Sequence, residues 1–501
     1  MQIASKDFLQ SLDALANDRK NAILNAKDEI LIKGTTYYVS NDGNDDNDGL
    51  TPQTAWQSTQ KVSSYPFNIG DGVCFKRGDV FRGYIKAKPG VTYFAYGTGD
   101  KPKLYGWDYN LADKNLWTLV DSKNNIYKLN NKILDCGTLV FNNDEKHSYK
   151  HIPSYVNGKF VCRYAHHKDF VMADEMTNDL DIFWYYDERL TTQESKGENF
   201  PVPIMDDKSY GDLYLKCNDG NPGEVYTSIE PLARRSGFMI GDNFDVRIDN
   251  FCIKYVGFHA IAGFGKSVDG LTVTNCEIGW IGGTIQSFLG DDPNYLAGVR
   301  GEVTRFGNGV EIYGGCKDYT VDNCYIYQIY DAGATHQITT HGNQIIFDGV
   351  TYKNNLIEYC VYSIEYFLDM KDGDVASYMN NFKIHDNVLR FSGYGWGQQR
   401  HNKHTPAHVK GWSYTNVARN YEIFNNIFDR SAFRLLHLVA KKDEYCPQMH
   451  DNTYVQYANG MIGQYGGNEI CEPQIEFYDE NIDKKIKDIF NDNNSKTYVI
   501  E

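Results

Sequence analysis

The chain has 501 residues, a formal net charge of −16 at pH 7, and 14% aromatic residues, with 38 tyrosines. The acidic excess argues against nucleic acid or an anionic membrane surface as a main partner. No run of residues is long and apolar enough for membrane insertion, and the first residues lack the apolar core of a signal peptide.

Residues 1–34 predict an N-terminal helix, because Phe8, Leu12, Leu15 and Ile23 recur at helical spacing between charged positions. We expect this helix to cap the open end of the first coil of a solenoid. Residues 35–103 follow as the first coils, and they include the acidic loop GNDDNDG. A solvated turn explains this loop, and a structural calcium site is the alternative, although the spacing is not that of an EF-hand. We expect no other cofactor.

Residues 104–233 read as an inserted β-rich domain, since aromatic strand segments such as DIFWYYDERL and GDLYLKC replace the repeat that dominates the rest of the chain. Residues 471–501 are charged and polar, and we expect them to form a C-terminal tail or cap.

Residues 234–470 repeat one short phrase: apolar, any, apolar, any, Asn or Asp, any, any, apolar. The copies recur every 25 to 48 residues, which is the period of a solenoid. An Asn or Asp at a bend suits a turn in the left-handed helical region, and we expect these residues to stack as an internal amide ladder. The anchor residues are Asn250, Asn275, Asn323, Asn354, Asp386, Asn425 and Asp451.

This pattern predicts an all-β fold, a right-handed parallel β-helix solenoid with an N-terminal capping helix and an inserted β-rich domain. The 11 cysteines lack metal-ligand spacing, and several occupy small apolar positions within the repeats. They predict reduced core thiols, which favours the cytoplasm, whereas a removed leader would imply secretion.

The segment that follows each anchor phrase should stack with its neighbours as one exposed face. Its outward column is predicted to contain His259, Gln286, Glu311, then Thr335 or His336, then Glu365, Gln398 or Gln399, and Arg434. Asp331 lies at the Gly-flanked bend between the coils of Glu311 and Glu365. A column of carboxylates and amides on successive coils predicts a catalytic surface.

The three carboxylates are the predicted catalytic residues. Asp331 is the predicted nucleophile or base, and Glu365, flanked by Tyr362, Tyr366 and Phe367, is the predicted general acid. Coils stack at about 4.8 Å, so carboxylates on adjacent coils fit the separation of a retaining glycosidase. Carboxylates two coils apart, such as Glu311 and Glu365, approach the wider separation of an inverting one.

Aromatic and polar residues near this column are predicted to bind substrate. The Gly-rich segment FSGYGWGQQRHNKHTPAH suggests a strand that a sugar can approach closely, with Trp396 stacking on the ring. An exposed loop without a role is the alternative for its histidines. The predicted substrate contacts are His259, Gln286, Arg305, His336, Gln337, Tyr394, Trp396, Gln399, Arg400, His401 and Arg434.

The opening YYVSNDGNDDNDGLTPQTAW resembles the start of many bacterial pectate-lyase-like β-helix proteins. The segments FWYYDERL, DLYLKCNDGNP, RFGNGVEIYGG and IYDAGATHQ resemble carbohydrate-active β-helix proteins, among them glycoside hydrolases of the β-xylosidase and α-fucosidase/xylanase type. The resemblance spans Thr36 to Gln464 and implies the β-helix fold and a carbohydrate substrate.

The sequence therefore predicts a glycoside hydrolase that degrades an oligo- or polysaccharide by a two-carboxylate mechanism. A polysaccharide lyase acting on a uronic-acid glycan is the first alternative, and it would need a Lys or Arg base beside a neutralised carboxylate. The second is a non-catalytic carbohydrate-binding β-helix. The sugar, the linkage and the oligomeric state do not follow from the sequence.

Overall fold

The structure is a computed structural model in which three parallel sheets wind around one apolar core. It describes residues 2–27, 30–151, 153–156, 159–162, 176–185, 194–195, 198–201, 210–288, 303–371, 373, 375–400, 405–467, 475–477 and 479–501. The parallel ladders confirm the predicted β-helix. Its coils are right-handed, as connections between parallel strands of one sheet are.

One sheet leads into the anchor residues, and we call it the anchor sheet. Its strands alternate between core and surface, as in Thr272–Thr274, where Val273 is buried in the core. The strands of this sheet are Thr36–Val39, Gly72–Lys76, Thr92–Tyr96, Arg247–Asp249, Thr272–Thr274, Val310–Asp322, Ile346–Lys353, Tyr378–His385, Ala418–Phe424 and Gln448–His450.

A second sheet follows the anchors, and we call it the helix-covered sheet because the N-terminal helix contacts it. Its strands are Val80–Arg82, Lys103–Tyr105, Cys252–Val256, Glu277–Ile281, Tyr325–Ile329, Leu356–Glu358, Val388–Ser392, Ile427–Ser431, Thr453–Tyr457, Lys496–Ile500 and Gln2–Ile3.

The third sheet carries the candidate site, and we call it the pocket sheet. It shares the long strand Val310–Asp322 with the anchor sheet and ends in a short antiparallel strand, Ile475–Glu476. Its parallel strands are Ile85–Lys86, Phe238–Gly241, Ile261–Ser267, Val310–Asp322, Ala332–Thr339, Tyr362–Asp369, Ala407–Gly411, Arg434–Ala440 and Met461–Gly467.

All seven predicted anchors adopt the left-handed helical conformation, with φ between 52° and 63°. Asn and Asp tolerate this region better than other side chains, which is why the phrase repeats them. The buried amide ladder, however, lies one residue later than predicted. It runs through Asn355, Asn387, Asn426 and Asn452 and ends at Asp492, each backbone N–H bonded to the next side-chain oxygen.

The N-terminal helix is present as Lys6–Leu24, with its first turn capped by the Ser5 hydroxyl. It lies along the helix-covered sheet rather than over the first coil. Asp13 forms an ion pair with Arg390, and Arg19 donates to main-chain carbonyl oxygens of two successive coils. Nineteen helical residues extend about 28 Å, enough to cross about six coils.

The segment that covers the first coil is a different one from the predicted cap. The short helix Thr59–Ser64 and the rings of Trp56, Tyr65 and Phe67 pack beside the first strand of the anchor sheet. In the acidic loop, the carboxylate of Asp45 accepts the backbone N–H groups of two residues, at 2.8 and 2.9 Å. Within the loop, the side chains of Asn44 and Asp48 each accept the backbone N–H group two residues further on, which is turn geometry. The described part of the chain holds no group of three or more His, Cys, Asp or Glu side chains placed to share a metal ion.

Between Lys103–Tyr105 and Phe238–Gly241 the strands are mostly antiparallel and bury a core of their own. The strands there are Trp117–Asp121, Ile126–Leu129, Ile133–Leu134, Cys136–Phe141, Lys146–His147, Tyr149–His151, Pro153–Val156, Lys159–Cys162, Asp181–Tyr185, Glu194–Ser195, Glu198–Pro201, Tyr210–Lys216 and Ile229–Ala233. A buried ion pair between Lys150 and Asp135 fixes this region internally, while Asp135 also accepts the backbone N–H of Ile285. The division of the chain into five parts stays a prediction.

The remaining helical segments are short, apart from one near the C-terminus. That helix, Ile482–Phe490, buries Ile482, Ile486 and Phe490 in the solenoid core. No helix among the described residues has the length and apolarity to cross a membrane. The nine cysteines whose side chains are described are all buried and unbridged. The other short segments are Pro52–Thr54, Lys114–Leu116, Pro222–Val225, Trp396–Gln399 and Asp443–Tyr445.

Candidate active site

A pocket of about 610 Å³ opens on the pocket sheet and holds all three predicted catalytic carboxylates. Its volume lies in the range of about 300–1,000 Å³ that is usual for small-molecule sites. Its lining residues are Phe258, His259, Phe264, Gln286, Phe306, Asn308, Glu311, Tyr313, Asp331, Gln337, Tyr362, Glu365, Phe367, Thr405, Lys410 and Trp412.

The strand register puts Glu311 and Glu365 in one column. Glu311 pairs with Thr335, and Thr335 pairs with Glu365 on the next strand. Their Cα atoms are therefore two ladder steps apart, or about 9.6 Å. Asp331 lies at the bend just before Ala332–Thr339, and its carbonyl oxygen accepts the N–H of Tyr362. Asp331 is thus displaced along the strands from the column.

Glu311 is held by one histidine and two side-chain amides. Its Oε2 lies 2.7 Å from Nδ1 of His259 and accepts the side-chain amide of Asn308, while Oε1 accepts that of Gln337 at 3.0 Å. Burial alone would raise the pKa of Glu311, but the charge and hydrogen bond of His259 and the two amides outweigh it and lower the pKa. Glu311 is therefore a fixed anion whose two oxygens are both occupied.

Asp331 is held by one cation. A buried ion pair joins its Oδ1 to Nη1 of Arg400. No described residue donates a hydrogen bond to Oδ2, and this oxygen is not among the fully buried unpaired atoms. Oδ2 can therefore be reached from the pocket that Asp331 lines. Burial acts to lower the pKa of Arg400, but the charge of Asp331 outweighs it and raises the pKa, so the guanidinium group stays protonated.

Glu365 lies between aromatic walls. Its Oε1 accepts the indole N–H of Trp412 at 2.8 Å, and the rings of Phe367 and Trp412 lie 4.3 Å apart. Tyr362 lines the same side of the pocket. The indole of Trp412 is a neutral donor, which is compatible with a carboxyl group that carries a proton.

Lys410 is a pocket residue that the sequence did not predict. It pairs with Glu365 in the ladder, and its Nζ donates to the Thr405 hydroxyl at 2.8 Å. The alternation of the segment AHVKG could have indicated it, since Val409 is buried in the core and Lys410 faces outward. The sequence predicted Gln398 or Gln399 at this position of the column. Residues 396–399 instead form a turn of 3₁₀ helix, and the strand that pairs with Glu365 begins only at Ala407.

His259, Gln286 and Gln337, three of the predicted substrate contacts, line the pocket, and Gln286 comes from a hairpin beside it. That hairpin pairs Thr284–Phe288 with Val303–Phe306.

His336 does not belong to the outward column. It is fully buried, packs among the rings of Tyr366 and Phe382, and lies 2.9 Å from the Tyr352 hydroxyl. Thr335 takes the outward position because adjacent strand residues face opposite sides.

Trp396 and Arg305 are structural rather than substrate-facing. Trp396 is buried against Tyr330 and donates its indole N–H to the carbonyl of Gln328. Arg305 is buried and donates to the main-chain carbonyls of Gly283 and Gly137, joining the solenoid to the inserted region. Neither lines the pocket, so the predicted sugar stacking on Trp396 is wrong.

The other predicted contacts are dispersed. Gln399 bonds main-chain groups of Lys150 and Ser148, and Tyr394 is 40% exposed beside a separate, smaller cavity. Arg400 reaches the pocket only through Asp331, and Arg434 lies further along the same sheet. His401 lies outside the described residues.

No family model matches the chain, and neither does any curated protein. Among solved structures, a complex of XylC with xylose matches at 11% identity and a TM-score of 0.42, covering 93% of this chain and 83% of that one. A glycoside hydrolase matches at 10% identity and a TM-score of 0.42, covering 85% and 88%. A rhamnogalacturonan lyase matches at 11% identity and a TM-score of 0.32, covering 93% and 83%.

Proposed function

We propose that this protein is a glycoside hydrolase that cleaves an oligo- or polysaccharide in the pocket. The observation that carries the proposal is the convergence of Glu311, Asp331 and Glu365, from three successive strands or their bends, on one aromatic-walled cavity. Glycosidases need a carboxylic acid to protonate the leaving oxygen and a carboxylate to act on the opposite side of the sugar.

The hydrogen-bond partners of the three carboxylates suggest a different catalytic role for each. Glu365 is the proposed general acid, because it is the carboxyl group beside aromatic rings and a neutral donor. Asp331 is the proposed nucleophile or base, because one of its oxygens is fixed by Arg400 while the other is reachable from the pocket. Glu311, with both oxygens occupied, supplies a fixed negative charge that stabilises the developing oxocarbenium ion.

The strand register around Asp331 and Glu365 favours one anomeric outcome of hydrolysis. Ala332 pairs with Tyr362, so Asp331 precedes the level of Glu365 by several residues, and the two side chains are separated along the strands as well as across them. This offset favours the carboxylate separation of inverting enzymes, about 6.5–9.5 Å, over the shorter separation of retaining enzymes, about 5–5.5 Å. We expect NMR of the first product to show an inverted anomeric centre.

Two substitutions test the roles. Asp331→Asn and Glu365→Gln should each lower kcat at least about 10²-fold, since each removes an acid–base or nucleophilic group. Release of reducing sugar from aryl glycosides and polysaccharides measures the effect. Glu422→Gln is the matched control, because Glu422 pairs with Lys383 on the anchor sheet, away from the pocket. Wild-type turnover in both pocket variants would refute the proposal.

A polysaccharide lyase is the second candidate, and Lys410 is the observation that favours it. A lyase needs a Lys or Arg side chain that, in its deprotonated form, removes a proton from a uronate whose carboxylate is neutralised. Elimination produces an unsaturated uronide that absorbs ultraviolet light, whereas hydrolysis produces reducing ends without a new chromophore. An ultraviolet-absorbing product that no longer forms when Lys410 is replaced would support the lyase and overturn the hydrolase proposal. A purely sugar-binding role is disfavoured by three carboxylates in one pocket.

A further inference from the structure

The outward column of the pocket sheet changes from acidic to basic beyond Glu365. Glu365 pairs with Lys410, Lys410 pairs with His437, and His437 pairs with Gln464. Each step is about 4.8 Å, so the basic groups begin one step from the proposed acid and extend over the next two strands.

Arg434 joins this basic group from the start of the strand that carries His437. It is only 6% exposed, its Nη1 donates to the side-chain oxygen of Gln464, and its Nε is buried without a hydrogen-bond partner. No carboxylate of the described residues lies within ion-pair distance of Arg434. A buried guanidinium group without an anion is unfavourable, so this position is prepared for an anion that the chain itself does not supply.

His437 lies beside the two cations and does not add to their charge. Burial, followed by the charges of Lys410 and Arg434, lowers the pKa of His437 to about 2, so the ring is neutral near pH 7. Its Nδ1 is buried and unpaired, which leaves a further polar group at this position. The positive charge comes from Lys410 and Arg434.

We propose that Lys410 and Arg434 form a subsite for the carboxylate of a single uronic acid unit in the substrate. The inference rests on the proposed hydrolase function and specifies its substrate class: a glycan with a neutral sugar at the cleaved bond and an acidic unit next to it. A polyuronate fits poorly, because three carboxylates already line the pocket where the next acidic unit would lie.

Binding measurements on a matched pair of ligands test the subsite. The probes are a uronate-bearing oligosaccharide and the same compound after reduction of its carboxylate to an alcohol, measured calorimetrically with Glu365→Gln to prevent turnover. We expect the acidic ligand to bind about 10-fold or more tightly, as charge-assisted hydrogen bonds do in comparison with neutral ones. Adding Arg434→Gln or Lys410→Met should bring the ratio close to one. Lys383→Met, which removes a surface cation elsewhere, should leave the ratio unchanged.

The possible outcomes separate this inference from the hydrolase proposal. Equal affinity for both ligands, while wild-type protein hydrolyses neutral glycosides, would overturn the subsite and leave the hydrolase intact. A preference for the uronate that depends on Lys410 and Arg434, with an unsaturated product and no hydrolysis, would keep the subsite and overturn the hydrolase. A preference that survives both substitutions would also overturn the subsite.

Discussion

Asn426 is the centre of the buried amide ladder, and its replacement by Ala tests how much that ladder stabilises the solenoid. Its side-chain amide donates to the carbonyls of Ile384 and Phe424 and to Oδ1 of Asn452. Its own Oδ1 accepts the backbone and side-chain N–H groups of Asn387, at 3.1 and 2.9 Å. All five hydrogen bonds are lost in Asn426→Ala.

A hydrogen bond contributes about 1 kcal/mol net, and a buried group left without its partner costs about 1–3 kcal/mol. Allowing for some relaxation, we expect Asn426→Ala to lower the free energy of unfolding by about 3–5 kcal/mol. Urea unfolding followed by circular dichroism measures this loss.

Asn380→Ala is the control for the ladder. Asn380 also lies in an inter-coil row, donating to Asp348 and accepting from Asn420, but it is half-buried and water can replace its partners. We expect its replacement to cost about 0.5–1 kcal/mol. If Asn426→Ala destabilises the protein no more than Asn380→Ala does, the buried ladder does not stabilise the fold as argued.

Three other substitutions probe the pocket. The folded-state pKa of Glu311 is lowered, so its contribution to stability is present above the unfolded pKa and lost as pH falls through the folded one. Glu311→Gln should therefore reduce the acid-side loss of stability, and an unchanged melting profile between pH 2 and 5 (roughly the carboxylate range) would contradict this. Arg400→Gln should destabilise the protein by about 3–5 kcal/mol by leaving Asp331 buried without its cation, and adding Asp331→Asn should recover part of this loss in thermal unfolding. Trp412→Phe keeps an aromatic wall but removes the hydrogen bond to Glu365, so kcat should fall about 10-fold with KM little changed; a change confined to KM would refute that positioning role.

The coil architecture could be predicted because the turn at each anchor repeats one residue type, although a second left-handed position five residues later, as at Tyr255 and Trp280, uses others. Each turn needs a left-handed residue, and Asn or Asp supplies it at every anchor. The same rule could have found an eighth turn: Asn491 has φ 55° and is followed by Asp492, which ends the buried ladder. The polar residues around Asn491 predicted a C-terminal tail or cap instead of this turn.

Contacts between distant segments could not be predicted in this way. Whether Gln399 or Lys410 follows Glu365 in the column depends on where a strand resumes after a long loop, and local alternation does not fix that register. The apolar spacing of Lys6–Leu24 predicted a helix but not the surface it covers, because an amphipathic face fits any apolar groove of suitable length.

The strand Gln2–Ile3 pairs with Lys496–Ile500, and the helix that follows it runs back toward the earlier coils. A linear repeat array can grow from any point by adding neighbours, but this closure joins residues nearly 500 positions apart and raises the contact order. The segment Gln2–Ile3 is translated long before its strand partner. Pairing of that strand must therefore wait until Lys496–Ile500 has been made, although the helix can already contact the coils of Asn355 and Arg390.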